Sequence, residues 1–600
     1  MAMKDNSKII KNPILDMDYP DPDVIRVDDT YYMVTTTMHF MPGCDILRSY
    51  DLINWEHLTY VYDRLDSTEA ERLEGDKNAF GKGMWAASIR YHEGLFYIVF
   101  VANDTQKTYL YRSSSIEGPW QKSNIEGFYH DASLLFDEGR TYIVYGNTDV
   151  YLTELNDELT APKKGGLHRL IVSDKGNPNL GYEGSHLYKI DGRYYLFLIH
   201  SARDRWMRNE ACFISDSLTG EFTGGDVLSD DMGFLQSGAA QGGIVDDGNG
   251  KYYSIVFQDS GAIGRVPVVV PVEIKDGNVK FGIDGKVPKD LSVCEPLNIK
   301  NKNNDSCEEE CSELYGSDDF KECYLDEYKR INLCAINETI ESSGAIKENE
   351  KNSGVICGTN GEAGATTAYN KRKFGTFGFK SFWQFSHEPD LSFVDVDTDK
   401  GILSIETGKT SSNIFEAKNV LTQRMKRPHC EAEVTIDGSD LKNGDSAGLT
   451  VYQGDFAWVG ITKKEGKLYA VMRNMCSDED TWILTKNPGE EHFSEMIEGN
   501  TLRVKLCADF PYPFSSEADN DKVDNDKADN DKADNDKADI ATCSIFRNGK
   551  WEKVGISHQM KFRLDHFTGA RFGLFVYSSK EAGGRAGFSD FKYVTDDQNS

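Results

Sequence analysis

VDDTYYMVTTT (27–37), HEGLFYIVFV (92–101), DEGRTYIVYG (137–146), IDGRYYLFLIH (190–200) and DGNGKYYSIVFQD (247–259) are five versions of one unit, an acidic or glycine turn followed by an aromatic strand. Asp and Gly suit the tight turn, and the aromatic and β-branched residues after it suit a pleated, buried surface. The copies recur every 45 to 65 residues or so, roughly the length of one four-stranded propeller blade with its loops. SYDLINW (49–55), SSSIEGPW (113–120) and SDSLTGEF (215–222) look like one outer-strand turn reused. Nothing in this half keeps a long helical period. The reading is all-β, with a five-bladed β-propeller over residues 1–294.

Ten or eleven positions before each leading aromatic stand Asp21, Trp85, Asp131, Glu183 and Gln241, opening DPDVIRV, WAASIRY, DASLLFD, EGSHLYKI and QGGIVDD. Innermost propeller strands run along the central axis, so equivalent positions converge at one end of the channel. Any one Asp or Glu beside glycine more often caps a turn than does chemistry. A turn cap has no reason to keep the same offset in every blade, and three carboxylates, a Trp and a Gln make an odd structural ring. Like charges crowded in a partly dry pocket push their pKa values apart, leaving one carboxyl protonated and another ionised. That pair, beside an aromatic platform, is what glycoside hydrolysis requires.

Beyond the repeats the chain changes character twice. Residues 295–378 are acidic and polar with five cysteines (Cys307, Cys311, Cys323, Cys334, Cys357) and read as a linker or insertion. Their spacing matches no zinc finger and the segment lacks histidine, so a metal is not expected there. Residues 379–600 return to alternation, in GILSIETG, AGLTVYQ, FAWVGITK and RFGLFVYSS, and read as a β-sandwich of concanavalin-like jelly-roll type. Inside it the repeated pentad DNDKA/V has no apolar periodicity, and a disordered low-complexity loop is expected near 515–540.

A net charge of -31 excludes partners that are held by neutralising phosphates, so no nucleic acid is expected; neutral sugars fit better. No stretch is apolar enough for a signal peptide or a membrane span, and twelve scattered cysteines read mostly as free thiols. The expectation is a cytoplasmic protein without a membrane partner; self-association into a homo-oligomer stays open.

NPILDMDYPDPDVIRVDDTYYMVTTT, HDASLLFD and EGSHLYKIDGRYYLF, in this order, resemble glycoside hydrolase family 43. Its members are five-bladed propellers acting as β-xylosidases, α-L-arabinofuranosidases and related arabinan or xylan enzymes. The resemblance implies Asp21 as general base, Glu183 as general acid and Asp131 as the residue that tunes and orients the acid. It also implies inversion, with the two reacting carboxyls about 6.5 to 9.5 Å apart. GAIGR resembles the segment whose Arg, here Arg265, reaches sugar hydroxyls. Trp85 and Gln241 join it as substrate-binding candidates, and His39 and Phe40, in TTTMHFMPG, are candidate pocket-wall residues.

FWQFSHEPD, NVLTQRM and GGRAGFSDFKY resemble the β-sandwich appended to xylosidases of this family, which in some relatives sends an aromatic into the active-site mouth; Phe567 is the candidate. Many relatives carry a His at the position of Gln241, where it helps to hold a calcium ion. Gln241 reads as a neutral hydrogen-bonding substitute, so no metal ligand is assigned and no cofactor is required, with calcium admitted only as a structural ion. The implied substrates are xylo-oligosaccharides, with arabinoxylan fragments as the alternative. A fructoside-active propeller would carry an Asn-Asp-Pro-Asn-type segment, which is absent. A non-catalytic sugar-binding protein or a protein-binding scaffold would not need three carboxylates in register.

Overall fold

The computed structural model describes residues 7–234, 237–275, 277–294, 312–332, 375, 377–477, 483–511 and 539–596. Four antiparallel four-stranded sheets and one five-stranded sheet follow one another along the first half of the chain. Their innermost strands are Asp23–Val27, Met84–His92, Ser133–Asp137, Glu183–Ile190 and the split pair Ala239–Ala240 and Ile244–Asp246. Each is paired with one of the five aromatic strands of the repeat, as Val24 with Met33 and Leu134 with Ile143. In the second, fourth and fifth blades these second strands are buried almost throughout, because each lies inside its sheet and is covered by the blades on both sides. The fold is a five-bladed propeller. Ser7–Lys11 pairs antiparallel with Asp290–Cys294, and the Asn12 side chain donates to the carbonyls of Val269 and Pro288, tying the start of the chain to the last blade.

The second half forms two seven-stranded antiparallel sheets, a β-sandwich. Burial distinguishes them. In Leu421–Arg424, Asp445–Tyr452 and Arg571–Ser578 every residue is buried, whereas His429–Asp437 and Thr501–Asp509 alternate buried with exposed. The alternating sheet faces solvent on one side. The sheet with the wholly buried central strands lies between its partner sheet and the propeller: Met41 and Phe385 exchange backbone hydrogen bonds across the boundary, Gln453 Nε2 donates to the Ala262 carbonyl, and Gln384 Nε2 to that of Pro42.

The seam carries charge as well as apolar surface. Arg424 donates to Asp45 Oδ2 at 3.1 Å and to the Asp18 carbonyl at 2.8 Å, its guanidinium 4.1 Å from the Tyr19 ring centroid. Asp45 also meets His57 Nδ1 at 2.8 Å. Residues 312–332, from the stretch read as a linker, fill the same region: Phe320 and Leu325 are fully buried, Asp318 accepts from Trp383 Nε1, and the Tyr328 hydroxyl donates to Asp63. Their few apolar residues have a neighbour to bury against only because two domains meet there. Of the five cysteines in that stretch only Cys323 is among the described residues, and it is free, as are Cys44, Cys212, Cys430, Cys476, Cys507 and Cys543. The loop expected near 515–540 lies almost entirely outside the described residues.

Two glycines mark where the domains touch most closely. A Cβ on Gly569 would lie 2.1 Å from the Ile263 carbonyl oxygen, and one on Gly264 would lie 2.3 Å from Asp18 Oδ1. Gly569→Ala is therefore expected to cost about 1–3 kcal/mol, since backbone must shift to admit the methyl. Chemical denaturation should show a lower midpoint than a Gly→Ala change at Gly225, which meets nothing within 4 Å and has no left-handed backbone.

Candidate active site

The five ring residues reach the channel by two local devices. Asp21, Asp131 and Gln241 have φ of 51°, 47° and 63°, a left-handed backbone that non-glycine residues seldom adopt and that turns the chain just ahead of, or within, the innermost strand. In the other two blades the ladder slips instead, between Trp85 and Ser88 and between Glu183 and His186. Such bulges re-aim a side chain.

The carboxyls form a connected cluster. Asp21 Oδ1 accepts from Arg265 Nη1 at 2.7 Å, and Oδ2 from the Thr36 hydroxyl at 2.6 Å. One ring nitrogen of His130 and carboxylate oxygens of Asp131 and Glu183 lie within 4.8 Å of one another. Glu183 Oε2 accepts from Asn147 Nδ2 at 2.7 Å and lies 3.2 Å from His130 Nε2, which is 3.6 Å from Asp131 Oδ1. Gln241 Nε2 reaches Asp131 Oδ2 at 3.5 Å. Burial pushes the Asp131 carboxyl up to about 7, with His130 opposing and the carboxylates of Glu183 and Asp21 reinforcing the rise. Burial works against a charged His130, yet Asp131 and the bond to Glu183 outweigh it and lift the imidazole to about 9.

Charge counting explains why one proton stays. Arg208, whose Nε is 2.6 Å from Asp259 Oδ2, feels Glu183 and Asp21 as well. Three cations (His130, Arg208, Arg265) thus face four carboxyls (Asp21, Asp131, Glu183, Asp259), and the cluster is neutral when one carboxyl keeps its proton. Asp131, pushed up by burial and by the neighbouring carboxylates of Glu183 and Asp21, is the group that favours keeping it.

A sandwich loop covers the cluster. Phe567 stacks on Trp85 with centroids 5.8 Å apart at 21°, and the Arg265 guanidinium lies 4.5 Å from the Phe567 centroid on another side. Asp18 holds this arrangement: Oδ1 accepts from the backbone N–H of Arg265 and Oδ2 from that of Gly569, both at 2.8 Å.

Residues 10–279 match the model of glycosyl hydrolases family 43, and residues 371–525 that of a beta xylosidase C-terminal concanavalin A-like domain. The chain belongs to glycosyl hydrolases family 43. It is 33% identical over 206 residues to a beta-xylosidase of Formosa agariphila, a match covering 31% of this chain and 33% of that protein. A non-reducing end alpha-L-arabinofuranosidase of Bacteroides ovatus is 31% identical over 194 residues, covering 32% and 35%. The alignments thus span about a third of the length of these curated relatives. Among solved structures, a bifunctional GH43-CE of Bacteroides eggerthii superimposes with a TM-score of 0.75 at 32% identity, over 98% of this chain and 64% of that one.

Within this family 43 chain the structure brings Asp21, Trp85, Asp131, Glu183, Gln241, Arg265 and Phe567 to one place. It does not bring His39 and Phe40 to the pocket wall, and that expectation is corrected. Phe40 is 1% exposed with the Arg571 guanidinium 3.6 Å from its centroid, and His39 is 2% exposed among Phe40, Phe80 and His387. Both lie in the domain seam, which covers them with residues hundreds of positions away. Gln241 points its amide at Asp131, and Glu210, which accepts the Gln241 backbone N–H, is held by burial well above the usual carboxylate range.

Sequence reasoning passed over His130, Asn147, Arg208 and Thr36. His130 stands in the quoted HDASLLFD, but strand alternation sends neighbours to opposite faces, and only the left-handed backbone of Asp131 lets both address the channel. Asn147 and Arg208 carry no sequence signal. Asp18→Ala, which removes both acceptors of the interdomain clamp, is expected to speed amide hydrogen exchange at Arg265 and over 566–570, while the strand Leu95–Ala102 keeps its protection.

Proposed function

We propose that this chain is an inverting, exo-acting glycoside hydrolase that releases terminal xylose from β-1,4-xylo-oligosaccharides, with terminal α-L-arabinofuranose of arabinoxylan fragments as its alternative or second substrate. The observation that carries the reading is the carboxyl cluster beside Phe567 and Trp85: an aromatic-walled site with Asp131 and Glu183 close together, covered on one side by a ring from the other domain. The names of the beta-xylosidase and arabinofuranosidase relatives support it, and both sugars present similar hydroxyls around the reacting carbon.

Glu183 gives its proton to the departing glycosidic oxygen. Its Oε2 is occupied by Asn147 and His130, and among the described residues Oε1 has no hydrogen-bond partner, so Oε1 carries that proton. Asp21 takes a proton from the attacking water; the donors Arg265 and Thr36 both address its carboxylate form, the form a base needs. Asp131, pushed up by burial, lies beside His130 and Glu183 and keeps the acid aimed. Phe567 and Trp85, stacked on each other, offer one aromatic wall to the terminal sugar.

Glu183→Ala is expected to lower kcat/KM by about 10²–10⁴-fold on alkyl xylosides, whose leaving group needs a proton, and far less on a dinitrophenyl xyloside. Equal losses on both would remove Glu183 from the acid role. Asp21→Ala should abolish turnover of both. Proton NMR of β-xyloside hydrolysis should show α-xylose first, and β-xylose as first product would overturn inversion. Phe567→Ala should raise KM for xylobiose about three- to tenfold through loss of the ring stack.

A further inference from the structure

Resting on the reading of Glu183 as the acid, we infer that His130 is its positioning residue: an imidazolium that holds Glu183 through Oε2 and sets the pH above which the acid can no longer deliver its proton. Four observations meet on this residue. Its Nε2 lies 3.2 Å from Glu183 Oε2 and 3.6 Å from Asp131 Oδ1, so one ring nitrogen addresses both carboxyls. Its ring stands edge-on to Trp85, centroids 5.8 Å apart at 64°, which limits the ring's rotation. Its own carbonyl accepts from Gly146 N–H, in the segment that presents Asn147 to the same Oε2. Its side chain is 17% exposed, so water reaches it without filling the pocket.

The charged and titratable groups around His130 come from every blade of the ring except the second. Asp131 is its neighbour in the third blade, Glu183 is in the fourth, and Asp21 acts from the first. Arg265, from the fifth, faces Asp21 and Asp131, and Arg208, from the fourth, faces Glu183 and Asp21. Carboxylates therefore outweigh the two guanidiniums at His130 and keep it cationic through neutral pH, consistent with its rise to about 9. A cation at hydrogen-bond distance from a carboxyl favours loss of that carboxyl's proton. His130 thus trades acid strength against aim: it fixes Oε2, directs the proton to Oε1, and brings the alkaline limit of activity down. Without it, Glu183 keeps its proton to higher pH but is held by Asn147 alone.

The test is the pH profile of kcat/KM for wild type and His130→Gln on an alkyl xyloside and on a dinitrophenyl xyloside. The alkaline limb on the alkyl xyloside should move up by about 1 pH unit or more in the variant. kcat at pH 6 should fall about tenfold with KM unchanged, and the dinitrophenyl substrate should lose little. An unmoved limb with equal losses on both substrates would make His130 structural and overturn the proposal. If His130→Gln fails to fold, ¹⁵N-histidine NMR of wild type and Glu183→Gln decides instead. One imidazole should titrate well above the ordinary value near 6.5 in wild type and lower in Glu183→Gln; no such histidine would overturn the proposal. Failure of the acid reading is separate, since it appears as equal losses on both substrates in Glu183→Ala.

Discussion

The buried carboxylate of Asp18 is the contact on which the pocket depends. It is 4% exposed, and its two oxygens take backbone N–H groups from different domains, Arg265 in the fifth blade and Gly569 in the sandwich. A buried carboxylate left without donors would be costly, so its place is set by having both domains present. The residues that it positions are those that finish the site: Arg265, whose side chain continues to Asp21, and the loop that lays Phe567 over Trp85. One polar contact thereby joins a base carboxylate, its cation and the aromatic lid.

The seam around it explains why the sandwich stays docked. Arg424 and Arg571 are both nearly fully buried: Arg424 donates across the boundary to Asp45 and lies over the Tyr19 ring, while Arg571 donates to Gln384 within the sandwich and lies over the Phe40 ring of the propeller. Two guanidiniums so close oppose each other, and burial together with Arg424 lowers Arg571 to about 9. Such pairs add little net stability but penalise misplacement strongly, because a shifted domain would leave a charge buried and unpaired. They act as registry pins for a contact whose function is geometric.

Much of the site was legible because a propeller is a repeat. Five aromatic strands gave the blades, and one offset from each gave Asp21, Trp85, Asp131, Glu183 and Gln241, all of which reach the channel. The offset works since equivalent positions in successive blades are related by rotation about the axis. His39 and Phe40 show where local reading stops: beside a first-blade strand they look like pocket wall, yet the sandwich covers them. His130 shows the opposite failure. Alternation sends it away from the channel, and a single left-handed residue after it restores it.

What the sequence alone determined is whatever repeats or alternates: the all-β class, five blades, a second alternating region, and the three carboxylates in register. Only the tertiary structure decided which groups pair with them. Asn147 and His130 on Glu183, Thr36 and Arg265 on Asp21, and Phe567 over Trp85 are contacts between blades or between domains, and they depend on backbone direction at a few residues of positive φ. Periodicity carries information about which face a residue takes, and therefore about the core. The hydrogen bonds of the site depend on distances of about 3 Å between residues far apart in the chain, which no periodicity encodes.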